Sequence, residues 1–124
     1  MLENFENSAM LVSFSDEAGK LSRIKKYASE LIEFTKGMDF EAYQKNIQIN
    51  YACAFALLQI GTIGNRLASE VQLKLEIPWR AIVAARNASV HGHSNSHKAI
   101  IWDELKNIPA LILKLDEQIS KISK

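Results

Sequence analysis

Seven apolar residues near the end of the chain, Ile101, Leu105, Ile108, Ile112, Leu115, Ile119 and Ile122, recur in alternating steps of four and three. That spacing matches the 3.5–3.6-residue repeat of a helix with one buried seam, and it does not fit a strand, whose faces alternate every second residue. A seam of this length is unstable alone and needs other helices to cover it. Pro109 falls inside the pattern and is expected to bend the helix, which should begin near His97. The rest of the chain must therefore supply helical partners.

Candidates are present. Ser15, followed by Asp16 and Glu17, reads as a helix start, with a capping hydroxyl and acids at the positive end of the dipole. The helix is expected to run to Lys36, with Leu21, Ile24, Ala28, Leu31 and Ile32 on one face and Gly37 as terminator. Asp39 opens a second stretch that bends near Asn46 and continues from Ile47 to about Leu75. Tyr51, Phe55, Leu58, Ile63, Leu67 and Val71 are its expected inward face. Ala52, Ala54, Ala56, Gly61 and Gly64 lie along the same segment and would let another helix backbone approach closely. Pro78 ends it, and Pro78-Trp79 starts a third helix reaching His91. Gly92 to Ser96 reads as a loop. No segment shows strand alternation. The expected fold is all-α, an antiparallel bundle of four to five helices, with residues 1–14 as a leader and 15–124 as the helical domain. The leader's Phe5, Met10, Leu11, Val12 and Phe14 are expected to pack on the body or on a partner.

Composition narrows the class. With 124 residues, 48% hydrophobic and 23% charged, the chain suits one globular domain. Cys53 is alone and sits among apolar residues, so it reads as a small buried hydrophobe in a reducing compartment. No apolar run approaches the roughly twenty residues of a membrane span. The first fifteen residues carry Glu3 and Glu6 but no Lys or Arg, unlike a secretory signal, so a cytoplasmic location is expected. Net charge is only +1, which argues against a general nucleic-acid coat. The distribution says more. Residues 1–17 hold four acids and no cation, whereas between Glu76 and Asp103 there is no acid but Arg80, Arg86, Lys98 and three histidines. A locally cationic stretch suits a small anionic target, although chance variation of helix-surface charge gives the same pattern.

Within that stretch, Arg86-Asn87-Ala88-Ser89-Val90-His91-Gly92-His93 joins a cation, an amide and an imidazole where a helix meets a glycine loop. Asn87 and His91 are four apart and share a helical face, so the amide can orient the ring. Cleaving RNA without metal needs a base for the 2′-hydroxyl proton, a cation for the phosphorane and an acid for the leaving oxygen. Histidine suits the proton transfers and a planar guanidinium suits the phosphorane. Spacing alone is a weak signal, because Arg and His near a helix end also occur as surface decoration. His91, His93 and His97 also form a His-x-His-x3-His run, a possible metal chelate that lacks a fourth ligand nearby. Trp79 and Trp102 read as packing anchors rather than base platforms, and Arg80 as half of a surface ion pair.

The ordered segments Ile77-Pro78-Trp79-Arg80, Arg86-Asn87 with His91, Ile101-Trp102-Asp103 and Asn107-Ile108-Pro109 resemble the HepT family of HEPN proteins. So do Gly37-Met38-Asp39-Phe40, Gln59-Ile60-Gly61 and Arg66-Leu67 upstream. The resemblance covers about residues 16 to 120. It implies a homodimeric HEPN bundle and a metal-independent ribonuclease toxin acting on messenger or transfer RNA, with Arg86, Asn87 and His91 in a shared cleft. It also implies a small nucleotidyltransferase antitoxin that transfers AMP onto a tyrosine two residues after the histidine. Here that residue is His93, which offers no phenol to modify; it is an auxiliary candidate for the acid. Neither a cofactor nor a metal is implied. The alternative is a catalytically silent helical subunit that binds the nucleotidyltransferase.

Overall fold

A computed structural model describes the backbone of residues 2–123 and the side chains of residues 16–122. Among the described residues there are seven helices and no strand: α1 (Leu2–Thr35), α2 (Phe40–Lys45), α3 (Ile47–Gly64), α4 (Ser69–Leu73), α5 (Trp79–His91), α6 (Asn95–Leu105) and α7 (Ile108–Ser123). Five are longer than ten residues, and α2 and α4 are short connecting turns. The architecture is the all-α bundle that the apolar seam demanded.

α1 packs along α3 and α7, and α5 packs on α3 and α6. The face expected for α1 is the observed one: Leu21, Ile24, Ala28 and Leu31 are fully buried, with Ile32 partly so. The chain enters α1 earlier than the Ser15 cap signal suggested, because the helix is continuous from Leu2 and Ser15 lies within it. The packing of Phe5, Met10, Leu11, Val12 and Phe14 lies outside the described side chains. Gly37, at φ +75°, occupies the left-handed conformation that reverses the chain after α1.

Two side-chain caps set the next elements. Asp39 Oδ1 accepts from the Ala42 amide at 2.8 Å and starts α2. Asn46 Oδ1 accepts from Ile49 N at 3.1 Å and starts α3, so the expected bend at Asn46 is a full break with its own cap.

α3 departs from expectation in two ways. It stops at Gly64, not Leu75, because Gly64 and Asn65 are poor helix formers and the freed backbone is taken up elsewhere. Lys20 Nζ donates to the Arg66 carbonyl, and Glu17 accepts from the Ala68 amide, each at 3.0 Å. Gln72 Nε2 donates to the Gly64 carbonyl at 2.8 Å. The expected inward face holds in part, with Ile63 and Leu67 buried and Leu58 and Val71 packed against the core. Asn50, Cys53, Ala54, Ala56, Leu57 and Ile60 are buried, while Tyr51 and Phe55 are 56% and 57% exposed. Between Lys45 and Arg66 no residue is charged, so polarity marks no outer side. That stretch comes nearer to span length than the sequence pattern suggested, with mean hydropathy 1.3 over 18 residues. Half of it is buried here as the central core helix.

The small residues of α3 serve the close approach expected of them. A β-carbon on Gly61 would stand 2.7 Å from Ile82 Cγ2, and one on Gly64 would stand 3.0 Å from Ile77 Cδ1 with Trp79 beyond. α5 meets them with its own alanines, since Ala81, Ala84, Ala85 and Ala88 are buried.

The C-terminal seam is split rather than bent. α6 ends at Leu105 and α7 restarts at Ile108, placing Pro109 in a first turn where its missing N–H breaks no helical bond. Ile101, Ile108 and Leu115 are buried, and Leu105, Ile112, Ile119 and Ile122 pack against the core. Trp102 stacks with Tyr43 and Phe40, with ring centroids 5.1 and 6.2 Å away, as a packing anchor should.

Candidate active site at the end of α5

α5 buries one side in alanine and turns the other outward. Val83, Arg86, Asn87, Val90 and His91 are all exposed. At about 100° per residue they fall within an arc of roughly 140° on the helix. The sequence-predicted trio therefore shares one solvent face, between two exposed valines. Among the described residues, Arg86, Asn87 and His91 make no side-chain hydrogen bond or ion pair, so the Asn87 amide does not hold the His91 ring in this structure. All three remain available to a ligand. Arg80 does not join them: its guanidinium lies 3.7 Å from Asp103 and 3.8 Å from Glu104, the surface ion pair expected of it.

The helix ends where Gly92, at φ +91°, turns the chain away, its amide still donating to the Ala88 carbonyl at 2.9 Å. The loop that follows is short, because Ser94 caps α6 by accepting from the His97 amide at 3.3 Å, and α6 thus begins at Asn95 rather than His97. His97 Nδ1 lies 3.1 Å from the Gly92 carbonyl oxygen and 3.1 Å from Ser94 Oγ. A carbonyl only accepts, so that contact calls for the proton on Nδ1. The ring thus staples both ends of the loop behind His91.

His93 goes elsewhere. Its imidazole meets the Tyr51 ring nearly edge-on, with centroids 4.9 Å apart and planes at 71°. Burial, then the nearby Lys98 ammonium and His97, holds its pKa below the ordinary histidine value. Lys98 is itself tethered, donating to the Gln44 carbonyl at 3.0 Å and tying α6 to α2. Among the described residues no three His, Cys, Asp or Glu side chains gather as a metal site.

Tyr51, like Phe55, is a residue that sequence reasoning misplaced. Assigned to the core, it stands at the edge of this site with Ile47, also exposed, one turn before it. Polarity gave no clue; only a three-dimensional neighbour, His93, marks its position. Cys53, by contrast, is fully buried as expected, and burial pushes its thiol up to about 12.

Comparison with known proteins places the chain in context. The family model described as Ribonuclease HepT-like matches residues 24–118. A Methanocaldococcus jannaschii protein provisionally named an RNase is 29% identical over 96 residues, 77% of this chain and 88% of that one. A Caldanaerobacter subterraneus protein, also provisionally named an RNase, is 31% identical over 82% of this chain and 92% of its own length. A Thermococcus cleftensis protein provisionally named ribonuclease HepT is 30% identical over 73% and 84% of the two chains. No solved structure matches the chain.

Proposed function

Because the chain belongs to the Ribonuclease HepT-like family, whose model spans most of it, we propose that it is a metal-independent endoribonuclease, the toxin of a toxin–antitoxin pair, acting as a homodimer. The observation that carries this reading is the outward face of α5. Arg86, Asn87 and His91 are exposed together, are unpaired among the described residues, and belong to a stretch of sequence without an acid from residue 77 to residue 102.

The chemistry follows from the three groups. A neutral His91 imidazole takes the proton from a ribose 2′-hydroxyl, and the oxygen attacks the adjacent phosphorus. The bond from phosphorus to the 5′-oxygen breaks, and an acid returns a proton to that oxygen. The products are a 2′,3′-cyclic phosphate and a 5′-hydroxyl. Arg86 offers paired N–H donors to the phosphorane oxygens, where charge accumulates in the transition state. Asn87, on the face of His91, orients its ring once substrate fixes both side chains. His93 is a weaker candidate for the acid than the sequence suggested, since its lowered pKa leaves it largely unprotonated near neutral pH. A second copy of the chain supplies the acid more simply.

A dimer also explains the apolar surroundings. Val83, Val90 and Phe55 are 50%, 71% and 57% exposed on neighbouring α5 and α3. A second protomer seated on them would close a groove over two copies of the Arg86–His91 pair and exclude water from the reacting phosphate. The partner antitoxin is a nucleotidyltransferase; with an imidazole at position 93 it neutralises this chain by covering the groove rather than by adding AMP there.

The test is cleavage of total cellular RNA by purified protein in excess chelator, with end-mapping of the products. Cyclic phosphate and 5′-hydroxyl ends are expected. His91→Ala should abolish both cleavage and the growth arrest caused by expressing the chain alone. Intact RNA with the wild-type protein, together with a stable complex with the nucleotidyltransferase, would instead establish a silent binding subunit.

A further inference from the structure

Beside the α5 face lies a groove of about 460 Å³, lined by Ile47 and Tyr51 of α3, Ala88 and Ser89 of α5, and Gly92 and His93. Its volume is in the range of roughly 300–1,000 Å³ that holds small organic ligands. One wall is Tyr51, more than half exposed, its ring in T-shaped contact with the His93 imidazole. Ala88 and Gly92 line it too, and a β-carbon on Gly92 would meet nothing within 4 Å. Ser89 Oγ donates to the Ala85 carbonyl at 2.9 Å, so its lone pairs remain free to accept.

We infer that this groove is a nucleobase subsite, in which Tyr51 stacks on the base of a nucleotide next to the scissile phosphate. The inference rests on the reading that the chain cleaves RNA. Position argues for it. Ala88, Ser89, Gly92 and His93 alternate along the chain with Asn87, Val90 and His91, so the groove opens within one helical turn of the proposed base. Charge argues for it too. None of the six lining residues is acidic, and four of them belong to the acid-free stretch between Glu76 and Asp103, which suits a short anionic segment such as a nucleotide better than an acidic peptide. An aromatic face flanked by a hydroxyl and an imidazole is how proteins hold unpaired bases, stacking on the π-face and hydrogen-bonding the edge. His93, largely neutral near pH 7, presents one donor and one acceptor to that edge instead of competing for the phosphate. Phe55, one turn further along α3, is different. Its ring meets Tyr27 edge-on at 6.2 Å and lies outside the groove, on the side assigned to the second protomer.

The experiment measures binding separately from cleavage. Fluorescence anisotropy with a labelled, non-cleavable 2′-O-methyl hexanucleotide compares the wild-type protein with Tyr51→Phe, Tyr51→Trp, Tyr51→Leu and Tyr51→Ala. Phe and Trp should bind like wild type, whereas Leu and Ala should weaken binding roughly five- to hundred-fold, the range of one lost stack. An abasic position walked along the oligonucleotide should reproduce that loss at one place in the wild type and add nothing in Tyr51→Ala. Equal binding by all variants overturns the subsite, and so does full affinity in Tyr51→Leu. Loss of the dimer in Tyr51→Ala, read by light scattering, also overturns it by making the ring a protein contact. If the wild type cleaves RNA yet is indifferent to Tyr51 and to the abasic position, the subsite fails alone. Tyr51-dependent binding without cleavage of ordinary RNA would sink the nuclease reading and leave the groove as a base-binding site with no scissile phosphate beside it, whereas absence of any RNA binding would remove both.

Discussion

Gly61 lies so tightly against Ile82 that a β-carbon at position 61 would stand 2.7 Å from the Ile82 Cγ2 methyl. This contact fixes how near α5 comes to α3, and with it where the Arg86–His91 face stands relative to Tyr51. Gly61→Ala gains about 1 kcal/mol of helix propensity but forces a branched methyl at the backbone to move, an overpacking cost of about 1–3 kcal/mol. The expected net result is a loss of about 1 kcal/mol in urea unfolding. Adding Ile82→Leu, which removes the branch at Cβ, should recover part of it. Gly64→Ala meets the flexible end of Ile77 at 3.0 Å and the Trp79 ring at an ordinary 3.5 Å, and should be close to neutral. If both glycine variants unfold at the same denaturant concentration, this account of the helix contact is wrong.

Asn50 is fully buried, and its Nδ2 donates to the Tyr43 carbonyl at 2.6 Å, fastening α2 to α3. Replacing the amide with a carboxylate sets a buried anion against a carbonyl oxygen. Asn50→Asp should cost about 3 kcal/mol or more at pH 7, and more than Asn50→Ala, because an unpaired buried charge is worse than an absent group. The sign with pH is fixed. The folded pKa of the new Asp rises above its unfolded value of about 3.9, because only the protonated acid can donate to Tyr43. The penalty should therefore shrink as pH falls toward 4, measured as the gap between variant and wild-type melting midpoints.

Alkaline stability should follow two buried acids. Burial raises the Cys53 thiol to about 12. Burial first, and then Cys53 itself, raises the Tyr43 phenol further. In the unfolded chain both ionise near their ordinary values, so there the unfolded state holds fewer protons and stability falls as pH rises. The decline should begin near pH 9 with a slope of up to about 1.4 kcal/mol per pH unit for the thiol, steepening when the phenol joins above 10. Cys53→Ala should remove the first part of the slope. Native protein should also react with a thiol reagent only at its unfolding rate, and prompt labelling at pH 8 would contradict the buried assignment.

What could be read from the chain and what could not separate along one physical line. The buried face of α1 was legible because Glu, Lys and Arg mark its outer side, so Leu21, Ile24, Ala28 and Leu31 had only one way to point. The α3 face was not, because no charge between Lys45 and Arg66 distinguishes the sides. Tyr51 and Phe55 look inward by hydrophobicity while Ala54, Ala56 and Gly61 take the interior by size. The chain beyond the end of α3 is held by tertiary partners such as Lys20, Glu17 and Gln72, which local propensity does not see. At the candidate site, Arg86, Asn87 and His91 were singled out from residue type, helical spacing and family resemblance, and the structure sets all three on one exposed side of α5. The placement of His93 against Tyr51 joins residues 42 apart in sequence and needed the fold.

The last prediction concerns the face those misread aromatics leave open. Phe55 is 57% exposed, and Val83 and Val90 on α5 are 50% and 71% exposed. Phe55→Asp places a charge there at modest cost to the single chain, since the ring gives up only a peripheral contact with Tyr27. If two protomers meet on this face, the variant should be monomeric by light scattering and keep its helical circular dichroism. It should lose RNA cleavage by 100-fold or more, the scale of a missing general acid or phosphorane cation. His91→Ala should lose cleavage equally while remaining dimeric. A Phe55→Asp protein that is monomeric and fully active would show that one protomer carries the complete site, and the second copy would then have no part in the chemistry.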